Sequence, residues 1–320
     1  MRRNFLALSL AAALLAGALA GCGPAATEES PSPVPESAAP TAEPPAETAV
    51  PVPTVRFGVL NGPTGVGAAG LMAANQAGAT NNSYEVEVYT DNSQVAAGLT
   101  NGAIDIAAMA SNVAATLYNN SDGAVRMVAV SGLGVLYILE NGETVQSMAD
   151  LEGRILYATG QGANPEYVLN YLLTENGVDP AQVDIQWRTA GEITALMASG
   201  EADLCMLPVP AATAVQLQNA EVREALDLSA EWDALQNGSR LTMTVLVART
   251  EYIEENPDTV AAFLADYQEA VDYVTGQPAE AAQVVAELGI TPNAKIAEAA
   301  IPKCALVCVT GTSGMRGAIQ

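Results

Sequence analysis

The chain has 320 residues, with 36 acidic residues against 12 basic ones and no histidine, for a formal net charge of −24 at pH 7. That balance argues against nucleic acid as a partner and against attraction to a membrane through a basic patch. The absence of histidine removes the commonest metal ligand and the commonest general base at neutral pH, so histidine-dependent enzyme mechanisms are excluded.

The first 21 residues form a leader: Arg2 and Arg3 precede an apolar stretch from Phe5 to Ala20. It is shorter than the roughly 20 apolar residues needed to span a bilayer and has the form of an export signal. Leu19-Ala20-Gly21-Cys22 resembles a bacterial lipobox, which implies removal of the leader and acylation of Cys22. Residues 22–53 are rich in Pro, Ala, Ser, Thr and Glu, without periodicity, and are expected to form an extended tether. No later apolar run is long enough to cross a membrane.

From residue 54 the composition changes to apolar runs alternating with amphipathic stretches, long enough for two lobes. Val55 to Leu60 reads as a strand, followed by the glycine cluster "NGPTGVG" and a helix to about Ala77. "YEVEVY" is a second strand, a helix from about Gln94 to Thr100 closes at Gly102, and "AIDIAAMA" is a buried strand. The order then recurs: "RILYATG" (strand), "PEYVLNYLLTENG" (helix, with Asn164 as N-cap and Pro165 first), "VDIQW" (strand), "TAGEITALMASG" (helix) and "EADLCMLPV" (strand). Gly62, Gly102 and Asp105 recur as Gly160, Gly200 and Asp203 at one constant offset, which predicts two similar lobes. Strand–helix alternation of this kind predicts mainly parallel sheets flanked by helices, with ligands at the carboxyl ends of the strands. The crossings between lobes are placed in "GVLYILENG" and "SRLTMTVLVART". This gives lobe 1 as residues 54–138 and 240–320, and lobe 2 as 139–239.

The lipobox, the tether, "TVRFGVLNGPTG", "VQSMADLEGRILYATGQG", "MASGEADLCML" and "VARTEYIEENPDTVAAFLADY" together resemble a solute-binding lipoprotein of an ABC importer. They are most similar to the family that binds nitrate, sulfonates, taurine and thiamine-pyrimidine precursors, with a type II periplasmic-binding fold. The resemblance implies a lipid-anchored, extracytoplasmic monomer that needs no cofactor, captures a small solute between two lobes and delivers it to a permease with its ATPase. It leaves two alternatives: an enzyme on the same fold, as in pyrimidine synthesis, or a ligand-presenting sensor. The enzyme relatives depend on histidine and a cysteine-rich motif, and this chain has neither. Members of such a family continue with a further helix on the first lobe. Here barely two turns follow "CALVCVTG", so that cover is expected to be incomplete.

Several residues are candidates for the solute site. "NGPTGVG" lacks the lysine of a P-loop; Gly65, Gly67 and Gly70 match a dinucleotide fingerprint by spacing, with Asp91 near the place of its acidic partner. The favoured reading instead puts Asn61, Gly62, Thr64 and Gly65 at a helix N-terminus that donates to a small ligand. Ser111 and Asn112 follow the third strand of lobe 1, and Pro208 holds the same place in lobe 2. Gln161, Gly162 and Asn164 face the opening stretch, with Asn164 also a candidate cap. Arg126 and Arg188 are the cations nearest to loop ends. Glu192 reads as part of a capping box with Thr189, and Asp105 and Asp203 as structural carboxylates. Cys205, Cys304 and Cys308 read as small core hydrophobes. The scarcity of cations leans toward a neutral, zwitterionic or weakly anionic organic solute.

Overall fold

A computed structural model describes residues 52–319. The leader, the acylation site Cys22 and the tether up to residue 51 lie outside the described residues.

The first half of the fold alternates as expected: β1 (Thr54–Leu60), α1 (Pro63–Gln76), β2 (Ser83–Tyr89), α2 (Asn92–Asn101), β3 (Ile106–Ala110), α3 (Ser111–Asn120) and β4 (Val125–Leu133). A second series follows: β5 (Leu136–Asn141), β6 (Ile155–Ala158), α4 (Asn164–Glu175), β7 (Asp184–Trp187), α5 (Ala190–Ser199), β8 (Leu204–Pro208), α6 (Ala211–Gln218), β9 (Val222–Asp227) and α7 (Leu228–Ala234). The chain then returns through β10 (Thr242–Arg249), α8 (Thr250–Glu255), α9 (Pro257–Gly276), α10 (Pro278–Glu287), α11 (Ala294–Ala300), β11 (Leu306–Thr310) and α12 (Thr312–Ile319).

Two mixed sheets result, one ordered β11-β4-β10-β3-β1-β2 and the other β7-β6-β8-β5-β9. Parallel pairing is confined to β2-β1-β3 and to β7-β6-β8. The remaining pairs are antiparallel, because a strand that arrives from the other lobe runs against its neighbours. The first passage between sheets is short, at Gly134 and Val135, and all of β5 belongs to the second sheet. Gly134 is required there, since a β-carbon would come within 2.1 Å of the Ser229 hydroxyl.

The repeat has a structural counterpart. Gly102 and Gly200 close α2 and α5 in the left-handed conformation, with φ of 77° and 74°, where glycine pays no steric penalty. The two aspartates after them diverge. Asp203 is exposed, whereas Asp105 is 2% exposed. Asp105 accepts from the Arg56 backbone N–H at 3.0 Å, from Arg56 Nε at 2.9 Å and from Arg249 Nη2 at 3.0 Å. Burial pushes the Asp105 carboxyl up, but these donors outweigh it and hold the group below its usual range. Asp91 caps α2, accepting from the Ser93 N–H at 2.6 Å, which gives it a helix-capping role in place of a ribose contact. Thr189 and Glu192 form the expected capping box.

Beneath the first sheet, Phe57, Phe263 and Tyr267 pack edge-on, with the Phe57 and Phe263 ring centroids 5.0 Å apart. A second apolar cluster does not stop at the lobe boundary. It joins Val66 and Ala69 of α1, through Val274, Ala281 and Val285 and through Ala297 and Ala300 of α11, to Ala212 and Val215 of α6. Lys303 reinforces this seam, donating to Glu224 Oε2 at 2.5 Å and lying 5.2 Å from the Tyr137 ring centroid. Cys205 and Cys304 belong to the same cluster, and burial pushes both thiols up to about 12.

Candidate functional site between the two sheets

Between the two sheets, the N-termini of α3 and α4 meet. The Asn164 amide donates to Ser111 Oγ at 3.0 Å and to the Met243 carbonyl of β10. Its carbonyl oxygen accepts from the Asn112 N–H at 3.3 Å, and Asn112 Nδ2 donates to the Gly162 carbonyl at 3.3 Å. Ser111 Oγ in turn donates to the Thr242 carbonyl at 3.1 Å. Asn164 is only 6% exposed. Four expected ligand contacts, Ser111, Asn112, Gly162 and Asn164, are thus brought together, bonded to one another and to β10 across the lobes.

Asn164 does not cap its own helix as expected. The cap position of α4 is Ala163, without a side-chain cap bond. Glu166 instead braces the loop before the helix, accepting from the Gly162 N–H at 2.6 Å. Pro165 stiffens the first turn, and the amide of Asn164 is left to reach the other lobe.

The opening glycine cluster is arranged differently from the expectation. Thr64 is 4% exposed, and its hydroxyl both accepts from the Leu60 N–H at 3.1 Å and donates to the Leu60 carbonyl at 2.8 Å. It therefore closes the turn between β1 and α1 and has no proton left to donate. Gly65 is buried, with the Leu60 carbonyl and Ile290 against the place of its β-carbon at 3.1 and 3.3 Å. Gly62 takes φ of 117° and its carbonyl accepts from the Val66 N–H, while the Asn61 N–H donates to the Tyr89 carbonyl at 2.7 Å. Gln161 is exposed, Pro208 is paired with Leu136 at the end of β8, and Arg188 is exposed with a guanidinium donating to the Trp187 carbonyl.

Beside the Asn164 contact lies a cavity of about 800 Å³, within the size range of small-molecule sites. Its wall comes from both lobes: Ser111, Asn112, Tyr118 and Val245 on one side, Asn164, Tyr167, Tyr171 and Trp232 on the other, with Arg240 and Thr242 on the returning chain. Asn61, Gly62, Thr64, Gly65, Gln161, Gly162 and Pro208 do not line it. Arg126 does, and pairs with Glu254 at 2.9 Å. The aromatic wall was not identified from sequence. Its only local signal is Tyr167 and Tyr171, one turn apart on α4 and hence on one face. Trp232 joins them from α7, its ring centroid 5.0 Å from that of Tyr171 and its Nε1 donating to Ser239 Oγ at 3.0 Å. Among the described residues, no group of three or more His, Cys, Asp or Glu is placed to hold a metal ion.

Comparison with known proteins agrees with this architecture. The NMT1/THI5-like family model matches residues 133–281. Curated relatives named as binding proteins, from Brucella abortus and Brucella suis, are 23% identical over 171 residues, 53% of this chain and 52% of theirs. The chain thus spans about half the length of the curated relatives it matches. Among solved structures, an ABC transporter protein from Parabacteroides distasonis superposes with a TM-score of 0.68 at 21% identity, covering 83% of this chain and 89% of that one. The periplasmic aliphatic sulphonate binding protein of Escherichia coli gives 0.66 at 18% identity, over 81% and 82%. The periplasmic nitrate-binding protein of Synechocystis gives 0.59 at 13% identity, over 82% and 75%. Residues 133–281 thus resemble an NMT1/THI5-like domain, and the chain has the two-lobed fold of periplasmic binding proteins.

Proposed function

We propose that this chain is an extracytoplasmic solute-binding lipoprotein of an ABC importer, anchored through Cys22, that takes a small organic solute between its lobes and hands it to a permease. One observation carries the reading. The cavity of about 800 Å³ is lined by both lobes and sits beside Ser111, Asn112 and Asn164, where α3 and α4 begin. A solute held there touches both halves of the molecule, so its binding free energy favours the closed arrangement over the open one. The likeness to solved sulphonate-binding and nitrate-binding proteins supports transport over catalysis.

The test is native mass spectrometry of the chain as purified, followed by a thermal-shift panel of sulfonates, pyrimidines and amino-acid-like solutes. A saturable shift abolished by Ala114→Trp, which fills the cavity, supports the assignment. A shift that survives this substitution places the solute elsewhere and rejects it.

A further inference from the structure

The wall of this cavity is unusual for so acidic a chain with so few aromatic residues, 5% of the sequence. Tyr118, Tyr167, Tyr171 and Trp232 all line it. Tyr118 is 51% exposed and Tyr167 59%, and together with Ile319 they bring three exposed large apolar side chains to a single opening. Isolated surface hydrophobes need no explanation, but a cluster of them around a concavity marks a binding surface.

The second observation is one of charge. Arg56, Arg126, Arg154, Arg223 and Arg249 are all engaged in ion pairs with carboxylates. Arg240, at the cavity rim, makes no ion pair and no side-chain hydrogen bond among the described residues. In a chain of net charge −24 this is a guanidinium without a carboxylate, beside aromatic faces. Its planar fork of donors matches a carboxylate in two parallel bonds. The third observation is an acceptor. Asn112 lines the cavity, and its Oδ1 is shut off from solvent with no hydrogen-bond partner among the described residues. A ligand donor that meets it once the side chain turns toward the cavity would remove the desolvation cost of that atom.

We infer that the solute is an aromatic carboxylate with a hydrogen-bond donor on its ring, the ring lying among Tyr118, Tyr167 and Trp232, the carboxylate on Arg240 and the donor on Asn112. This rests on the cavity being the solute site. Arg240 is then the residue that selects for the anion, and the aromatic wall selects for the flat ring by offset and edge-on stacking. The volume leaves room for a ring larger than a single benzene.

The test uses the full-length chain with 4-hydroxybenzoate, cyclohexanecarboxylate and 4-hydroxybenzyl alcohol as probes, read by equilibrium dialysis and thermal shift. The expected result is saturable binding of 4-hydroxybenzoate, at least tenfold tighter than either of the others. Arg240→Gln, at an exposed position, should keep the parent's unliganded melting temperature, lose at least tenfold in affinity for the acid and leave the alcohol unchanged. Trp232→Phe should retain binding, while Tyr167→Ala weakens both aromatic probes. Equal affinity for the acid and the alcohol, or an Arg240→Gln variant that binds as the parent does, overturns the inference. A non-aromatic solute displaced by Ala114→Trp overturns it too, yet leaves the cavity assignment standing. If no solute of any class binds in the cavity, both fall together.

Discussion

Asn164 and Ser111 hold the two lobes together without a ligand: the amide of one donates to the hydroxyl of the other at 3.0 Å, across the gap between the sheets. Asn164 makes three such interlobe bonds, to Ser111, to the Met243 carbonyl and from the Asn112 N–H. Asn164→Ala should therefore shift the unliganded chain toward the open form. At about 0.5–1.5 kcal/mol net per bond, the loss is about 2–3 kcal/mol. A larger radius of gyration by small-angle X-ray scattering, restored by a bound solute, is the expected result; an unchanged profile counts against the latch.

Thr64 gives a contrasting expectation. Thr64→Val keeps the shape but leaves the N–H and carbonyl of Leu60 without their partner, so the unliganded chain should lose about 1–3 kcal/mol. The solute-induced shift in melting temperature should persist, because the hydroxyl is turned into the β1–α1 junction. Loss of that shift with unchanged basal stability would return Thr64 to the ligand site.

These two residues also mark how far the sequence could be read. The strand–helix order, the paired glycine caps and the capping box at Thr189 were legible because each depends on neighbours within a few residues. The partners of Thr64 and Asn164 were not. A hydroxyl at a helix start looks the same whether it faces a ligand or the strand before it, and an asparagine before Pro165 looks like a cap although the helix starts at Asn164 itself. The aromatic wall escaped for a related reason: Tyr118, Tyr167 and Trp232 come from three helices, and only the meeting of the lobes gathers them. The divergence of Asp105 from Asp203 likewise needed Arg249, which is far away in sequence.

Asp105 makes the acid response predictable. Its carboxyl is held below its usual value of 3.8 in the folded chain, so folding is favoured by its ionised form. That contribution is fully present above the unfolded value and is lost as pH falls through the folded one. Stability from this pair should be level down to about pH 5 and decline below about pH 4. Asp105→Asn should cost about 3 kcal/mol at neutral pH, at the low end for breaking a buried ion pair because Arg56 is 42% exposed. It should also flatten the acid limb of a urea-midpoint titration; an unaltered limb would assign that limb to other carboxylates.

Thiol chemistry tests the seam between the lobes. Burial pushes Cys205 and Cys304 up to about 12 and Cys308 up to about 11, so few thiolates are present at pH 8. The folded chain should react with a disulfide reagent at Cys205 and Cys304 only on unfolding, with Cys308 faster than both. Early labelling of Cys304 would show that the seam opens in the native state.

On the proposed function, the apolar seam through α10 and α11 bears on how long a solute would stay. The lobes share a continuous core and the three bonds of Asn164; a packed core is harder to open than three hydrogen bonds, so the polar contact should yield first. Residence time would then depend on a polar contact made by a residue that is not aromatic. Asn164→Ala should speed dissociation more than it changes which solute is preferred.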